Sequence, residues 1–412
     1  MHQPQTLAEE ALAAGRPGVA TSFRFHRPRG PICGRGHCFA CEVETSAGRV
    51  LACQTLATGT QPRRRRLRRP LGRIAERWPP WFYERRFLRT EAMRRASLGV
   101  LRRASGAGRL ATGFTPVAPR AFAEVEAETV VVGAAAPEED ALVVDLAAGN
   151  LALGVYPGRV LGALHEGRLL AIRFERLVIA AGAYERLPPI AGNDLPGVVG
   201  LAAAARYAAA GALPPGTRIA VWGPRRAIAA CEELAARHDL SLVWSDTRPP
   251  HALSGRGRLE RLHADVEIRC DLFVTGVSQP AIELAMQAGA QVSLTDDGLP
   301  ILAVTATPDW LSMRGGAAAR SSEVPAVAAH DDAFACLCED VRVRDLRMCV
   351  AGGFDQPELV KRRTGAMTGP CQGKLCAAAV LTVLREAGVE AAPTTARPLA
   401  RPATLGELAA HA

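Results

Sequence analysis

Eleven cysteines lie along the chain, and eight of them fall into two sets whose spacing suits metal chemistry. The first set reads Cys33-G-R-G-H-Cys38-F-A-Cys41, followed by EVETSAGRVLA and Cys53. The second reads Cys336-L-Cys338, thirty-two residues, then Cys371-Q-G-K-L-Cys376. Thiolates are soft ligands, and four of them converging on two irons hold a [2Fe–2S] cluster. The opening MHQPQTLAEEALAAG has no charged-then-apolar leader pattern, so a cytoplasmic setting is expected. Stable disulfides are not expected there, and clustered cysteines point to metal. Two [2Fe–2S] clusters are the expectation. Free buried thiols or zinc are the alternatives, although zinc sites usually repeat a paired C-x2-C unit and the first set has only one. Cys231, Cys270 and Cys349 stand alone in apolar surroundings and read as packed thiols.

The first set has the C-x4-C-x2-C…C spacing of plant-type ferredoxins. Gly34 and Gly36 let such a loop wrap closely around a cluster. EVET and RVLAC read as two strands around a Ser-Ala-Gly turn, a hairpin that returns Cys53 to the loop. His37 lies inside the loop and reads as a hydrogen-bonding residue rather than a ligand. In the second set, each cysteine pair precedes a helical pattern, VRDLRMCVAGG or AAAVLTVLREAG. Both pairs are therefore expected near helix N-termini, where backbone N–H groups favour an anionic cluster. Gly369 and Pro370 set the turn before Cys371, and Gly373 permits close approach.

The elements that position these sets divide into five stretches. Residues 1–60 form a small cysteine-rich unit; 61–125 are rich in arginine and aromatics, with Trp78, Trp81, Phe82 and Tyr83 in one cluster. Residues 126–325 read as α/β, with strand-like TVVVG, ALVVDL, RLVIAAG, RIAVWG, LSLVWS and DLFVTG between Ala-rich helical stretches. Residues 326–390 form the second cysteine unit, and 391–412 a Pro/Ala/Arg-rich tail expected to be loosely held.

Composition excludes several classes. Hydrophobic residues are 48% of the chain, enough for a packed core. No run of eighteen apolar residues suggests a membrane span. The net charge of +9 is almost wholly arginine and is concentrated at 63–103. No known nucleic-acid-binding module accompanies it, so nucleic acid is not an expected partner; a solvated linker or a patch for an acidic partner is.

Four blocks carry a family resemblance: RPRGPICGRGHCFACEV…ACQT, RLVIAAGAYERLPPIAGNDLPGVVGLAAAARY, FACLCEDVRVRDL and ELVKRRTGAMTGPCQGKLC. Through them the chain resembles the α subunits of heteromeric sarcosine oxidase-like amine and imino-acid dehydrogenases, a group that includes opine and hydroxyproline dehydrogenases and hydrogen cyanide synthase. The resemblance implies an α/β fold with an N-terminal β-grasp ferredoxin-like domain. It further implies a truncated Rossmann-like flavoprotein core and a small helical C-terminal [2Fe–2S] domain similar to bacterioferritin-associated ferredoxin.

The departures are in the core. The family's strand-GxGxxG-helix unit holds the FAD pyrophosphate, but here TVVVG ends at Gly133 and only AAAPEED precedes ALVVDL. Seven residues fall short of the dozen or so that a parallel crossover needs, so the flavin-binding unit reads as deleted. A second unit, RIAVWGPRRAIAACEELAARHDLSLVWSD, has the right length, with Asp246 placed to reach a ribose. Arg225 and Ile228 replace its second and third glycines, leaving scaffold, or a phosphate held by Arg225 or Arg226, as alternatives. SMRGG at Ser312 to Gly316 lacks the acid of the family's late flavin signature.

The implied function is electron relay. A flavoprotein partner resembling glycine or D-amino-acid oxidase would oxidise a secondary amine or imino acid, and the clusters would pass electrons to a quinone or carrier. No residue of this chain is assigned a catalytic role. FAD or FMN is expected only at a subunit interface, with Gly182, Ala183 and Glu185 as its wall. The alternatives are a self-contained flavin or NAD(P)H oxidoreductase and a non-catalytic iron–sulfur redox sensor. The aromatic cluster reads either as an interface centre or as a linker packed on its own core.

Overall fold

The structure is a computed structural model that describes residues 5–22, 25, 27–45, 48–58, 90, 92–93, 96, 123–134, 140–145, 150–165 and 168–402. The chain divides into two compact units: Met1–Phe23 with Arg27–Arg65 and Phe122–Ala412, and Arg24–His26 with Arg66–Ala121. Both cysteine sets belong to the first. Trp78, Trp81, Phe82, Tyr83 and most of the arginine-rich stretch lie outside the described residues.

The N-terminal module opens with α1 (Leu7–Ala13), fixed by a capping box. Thr6 Oγ1 accepts from the Glu9 N–H, and the Glu9 carboxylate accepts from the Thr6 N–H. Strands β1 (Ala20–Thr21) and β2 (Pro28–Arg29) pair antiparallel ahead of the first cysteine loop. β3 (Glu42–Thr45) and β4 (Gly48–Leu51) then form the expected hairpin. The Ala52 N–H donates to the Cys41 carbonyl at 3.0 Å, extending the ladder until Cys53 comes level with the loop.

The core holds a six-stranded sheet of β5 (Ala123–Gly133), β6 (Leu142–Val144), β7 (Leu151–Tyr156), β8 (Val160–His165), β9 (Arg168–Ala180) and one later strand. The order is β6-β5-β9-β8-β7. β9 is shared between two patterns: its first half is antiparallel to β8, and from Leu170 onward it runs parallel to β5. The continuous apolar runs TVVV and LVIA follow from burial on both faces.

β5 and β6 pair in parallel, Val130 opposite Leu142 and Val132 opposite Val144. The interval between them therefore suffices for a parallel return, contrary to the expectation from its length. The reason is that β6 is only three residues long, so the chain must retrace only about 10 Å. Eight extended residues span well over about 20 Å.

Next come β10 (Ala183–Glu185), β11 (Val198–Gly200), α2 (Leu201–Ala209), β12 (Arg218–Trp222), α3 (Arg225–Arg237) and β13 (Ser241–Asp246). β14 (Ala252–Ser254), β15 (Arg261–His263) and β16 (Glu267–Arg269) form an antiparallel meander before β17 (Leu272–Thr275). A parallel sheet of order β11-β17-β12-β13 results. β18 (Ser278–Pro280) pairs with β10, and α4 (Glu283–Gln287) follows. β19 (Gln291–Leu294) and β20 (Leu302–Ala306) pair antiparallel, and β21 (Leu311–Met313) joins the second half of β9 in parallel.

The C-terminal module consists of β22 (Phe334–Cys336), β23 (Val341–Arg342), α5 (Val343–Ala351), α6 (Pro357–Thr364) and α7 (Ala377–Glu386). Its core is continuous with the sheet: Leu346, Leu381 and Leu384 belong to the same buried cluster as Ile172, Leu177 and Ile179. The tail differs from the expectation in its described part. The Ala400 N–H donates to the Leu153 carbonyl at 2.6 Å, and Gln372 and Lys374 donate to the Leu399 and Ala400 carbonyls at 3.0 and 2.6 Å. One backbone hydrogen bond to the edge strand β7, together with these side chains, holds Leu399 and Ala400 where composition alone predicts looseness.

Candidate iron–sulfur sites

The first cysteine set is gathered by the loop and hairpin. Cys33, Cys38, Cys41 and Cys53 are all 1% exposed or less. The Cys33 sulfur hydrogen-bonds with Cys38, Cys53 and His37, and Cys53 in turn with Cys41. Burial opposes ionisation of Cys33, but these three partners hold its pKa well below the ordinary thiol value. The Arg35 N–H approaches the Cys33 sulfur at 3.4 Å. Gly34 and Gly36 take φ of +63° and +81°, the left-handed turn expected of them. A Cβ at Gly34 would lie 3.1 Å from the Ala203 side chain, so the loop is pressed on the start of α2. Arg206 of α2 donates to the Gly34 carbonyl at 2.5 Å and to Glu9 at 3.0 Å.

In the second set, the sulfurs form a closed ring of hydrogen bonds, Cys336–Cys338–Cys371–Cys376 and back to Cys336. Hydrogen bonding among the four holds Cys336 and Cys371 well below the ordinary thiol value and pushes Cys338 and Cys376 above it, with burial adding to the rise. Backbone N–H groups at Glu339, Gly373 and Leu375 also point at these sulfurs. Only Cys376 is a helix cap, at the start of α7. Cys336 ends β22 and Cys338 lies in the turn before β23, so the C-x-C pair is not at a helix N-terminus. The helical pattern after that pair begins only at Val343, because β23 intervenes. Gly373 has φ +84° in open van der Waals surroundings, whereas close approach belongs to Gly369, where a Cβ would sit 2.2 Å from that of Cys338.

Among the described residues no group of three or more His, Cys, Asp or Glu side chains is disposed to hold a single metal ion. A two-iron cluster asks instead for sulfurs in pairs around two metals, with N–H donors nearby, and this donor set fits it. Cys231, Cys270 and Cys349 are buried apart from both sets, and burial raises the pKa of the first two to about 12.

The core residues marked for a flavin divide in two. Gly182 and Ala183 line a cavity of about 590 Å³ at the carboxyl ends of β5, β6 and β9, along with Gly133, Tyr184 and Lys374. Glu185 is buried and turned toward the first cysteine loop: it accepts from Arg35 at 2.9 Å and lies 2.7 Å from His37 Nε2. Burial works against protonation of His37, but Cys33 and Glu185 raise its pKa to about 9. His37 is thus a hydrogen-bonding loop residue. In the second α/β unit, Arg226 pairs with Glu323 and the Asp246 carboxylate accepts from the Arg248 N–H at 2.9 Å.

Sequence reasoning passed over the residues that join the modules. Asn193 donates to the Phe334 carbonyl at 3.1 Å and accepts from the Phe334 N–H at 3.0 Å. Asp194 accepts from Arg27 at 2.6 Å and from Arg29, whose guanidinium also reaches Asp340. The signal was present: the N-D of GNDLPG and the E-D of CLCED are acids beside apolar runs, positions where a buried charge needs a partner.

Residues 1–60 match the 2Fe-2S iron-sulfur cluster binding domain. Residues 330–412 match the sarcosine oxidase A3 domain. No curated protein matches the sequence. Among solved structures, L-proline dehydrogenase from P. horikoshii superposes with a TM-score of 0.68 at 15% identity, covering 98% of this chain and 94% of that one. An FAD-dependent pyridine nucleotide-disulphide oxidoreductase from Desulfovibrio vulgaris is similar over 46% of this chain and 63% of that one, at 19% identity and a TM-score of 0.34. The sarcosine oxidase A3 match is confined to residues 330–412, the N-terminal match is to a 2Fe-2S domain, and the proline dehydrogenase superposition shows a shared fold over nearly the whole chain.

Proposed function

We propose that this chain is the iron–sulfur electron-transfer subunit of a heteromeric flavin-dependent amine or imino-acid dehydrogenase. The observation that carries the reading is the pair of four-thiol sets, buried except for the half-buried Cys338, each with N–H donors on its sulfurs, seated on a flavoprotein-like core. Cys33, Cys38, Cys41 and Cys53 would hold one [2Fe–2S] cluster, and Cys336, Cys338, Cys371 and Cys376 the other. Such a cluster, when bound, takes up and releases one electron at a time. The names of the two similar proteins, a sarcosine oxidase domain and an L-proline dehydrogenase, point to a secondary amine or imino acid as substrate of the assembly.

The chemistry at carbon then belongs to a partner flavoprotein resembling glycine or D-amino-acid oxidase, in the cytoplasm, with a quinone or carrier as acceptor. This chain's own residues supply position and electrostatics. Arg35, His37 and Glu185 brace the first cysteine loop; Lys374 and Gln372 brace the second against the tail. The cavity walled by Gly182 and Ala183 lies against both loops and suits a flavin shared with the partner.

The test is anaerobic purification of the complex, followed by addition of sarcosine or L-proline. The expected result is a co-purifying flavoprotein and bleaching of the iron–sulfur absorbance by substrate. A flavoprotein that is reduced while the clusters never bleach sinks the relay. Flavin that stays with this chain alone after iron is stripped favours a self-contained oxidoreductase, and a chain without any flavoprotein favours a redox sensor.

A further inference from the structure

We infer that Cys38 and Cys338 form an electronic junction between the two thiol sets, so that the sites act as one two-electron store rather than as two independent carriers. The inference rests on the reading of both sets as [2Fe–2S] sites.

These cysteines belong to different sets and stand 300 positions apart, yet the Cys338 sulfur lies 3.9 Å from the Cys38 backbone carbonyl oxygen. From that oxygen to the Cys38 sulfur the path is covalent throughout, along C, Cα and Cβ. Electronic coupling decays steeply across non-bonded gaps and slowly along bonds. A ligand sulfur of one set is thus separated from a ligand sulfur of the other by a single gap.

The surrounding residues keep that gap closed. Cys338 lies under Gly369, whose missing side chain lets the backbone press on it, since a Cβ there would approach to 2.2 Å. Phe39, next to Cys38, adopts φ +57°, a conformation rare outside glycine that turns the loop at this point. Arg29 ties β2, just before the first loop, to Asp340, two residues past Cys338. Phe39 and Pro370 line both the cavity of about 590 Å³ and a second of about 400 Å³, so the junction separates two open spaces. A donor on one side and an acceptor on the other would then be served by the same pair of cysteines.

The exchange is balanced simply. The reduced site loses one electron and the oxidised site gains it; no bond forms or breaks, and no proton changes place. A two-electron donor is discharged by one chain in two such events.

The test is electron paramagnetic resonance on the full-length protein, purified anaerobically and reduced stepwise with dithionite. Two spins this close split each other's signals. The expected result is an unsplit signal when about one electron per chain has been added. A splitting independent of microwave frequency should then appear as the second enters. Cys33→Ser and Cys371→Ser proteins, each with one site left, should show no splitting, and their spectra should not add up to that of the whole protein. Four irons per chain with additive, unsplit spectra overturns the junction and leaves the two-site reading standing. Two irons per chain overturns both.

Discussion

The guanidinium of Arg29 donates to the carboxylate of Asp340, an ion pair between the N-terminal and C-terminal cysteine modules that is fully enclosed. The same guanidinium reaches Asp194 in the core, so one side chain joins three parts of the molecule. Breaking such a buried pair by removing one partner costs about 3–5 kcal/mol. Arg29→Met is expected to lose stability of that order, read as a lower midpoint in thermal or urea unfolding. Arg29→Lys should recover only part, because an ammonium cannot present a planar fork to two carboxylates. An Arg29→Met protein as stable as the parent would show that the junction contributes nothing.

Asp194 gives this joint a pH dependence. Burial pushes its carboxyl up, but Arg29 and Arg27 outweigh that and hold the pKa below the ordinary value. A folded-state pKa below the unfolded one means stability that is fully present above the unfolded value of about 3.9 and is lost as pH falls through the lower folded value. Urea midpoints measured downward from neutral pH should therefore fall in the acid range, and Asp194→Asn should flatten that fall. An unchanged acid limb in the variant would place the acid sensitivity elsewhere.

Iron content separates the two sites. About four irons and four acid-labile sulfides per chain are expected from anaerobic preparations. Cys38→Ser and Cys371→Ser should each remove about half of the iron and spare the rest. Loss of all iron from either variant would mean that the sets do not assemble separately.

Flavin content tests the shortened core. The isolated chain is expected to release no stoichiometric FAD on acid treatment, because the interval between Gly133 and Leu142 cannot hold a phosphate loop and a helix. Gly133 itself is committed to the sheet: its φ is +105°, and a Cβ there would lie 2.2 Å from the Ala180 carbonyl oxygen. One FAD per chain, bound without a partner, would refute this expectation.

The tail offers a fifth measurement. Lys374 is buried and donates to the Ala400 carbonyl. Truncation after residue 397 removes that acceptor and leaves the ammonium the Gln372 side-chain oxygen at 3.1 Å, so the cost is that of one hydrogen bond from a charged donor, about 1.5–3 kcal/mol. Iron should leave the second set faster on chelator challenge, while loss from the first set stays as in the parent. Equal rates in the truncated and full-length proteins would show that the strap does not brace the second loop.

Local chemistry made much of this protein legible without a fold. Thiol spacing around Cys33 to Cys53, the hairpin between Cys41 and Cys53, and the β-rich core with its shortened first unit all depend on short stretches of chain. Their physics is local: a turn residue, a period of two, a crossover length. The isolated Cys231, Cys270 and Cys349 could likewise be set apart by their neighbours. What only the tertiary structure decided involves residues far apart in sequence. No spacing rule brings Cys338 to Cys38, Arg29 to Asp340, or Glu185 to His37, because each contact is made by packing one module against another. The same holds for the tail, whose Pro/Ala/Arg-rich composition says nothing of the edge strand and the two side chains that hold it. Glu185 makes the difference plain: its place in a flavoprotein-like block suggested a cofactor wall, but the cysteine loop that folds over it supplies Arg35 and His37, and a buried carboxylate turns to the cations it can reach.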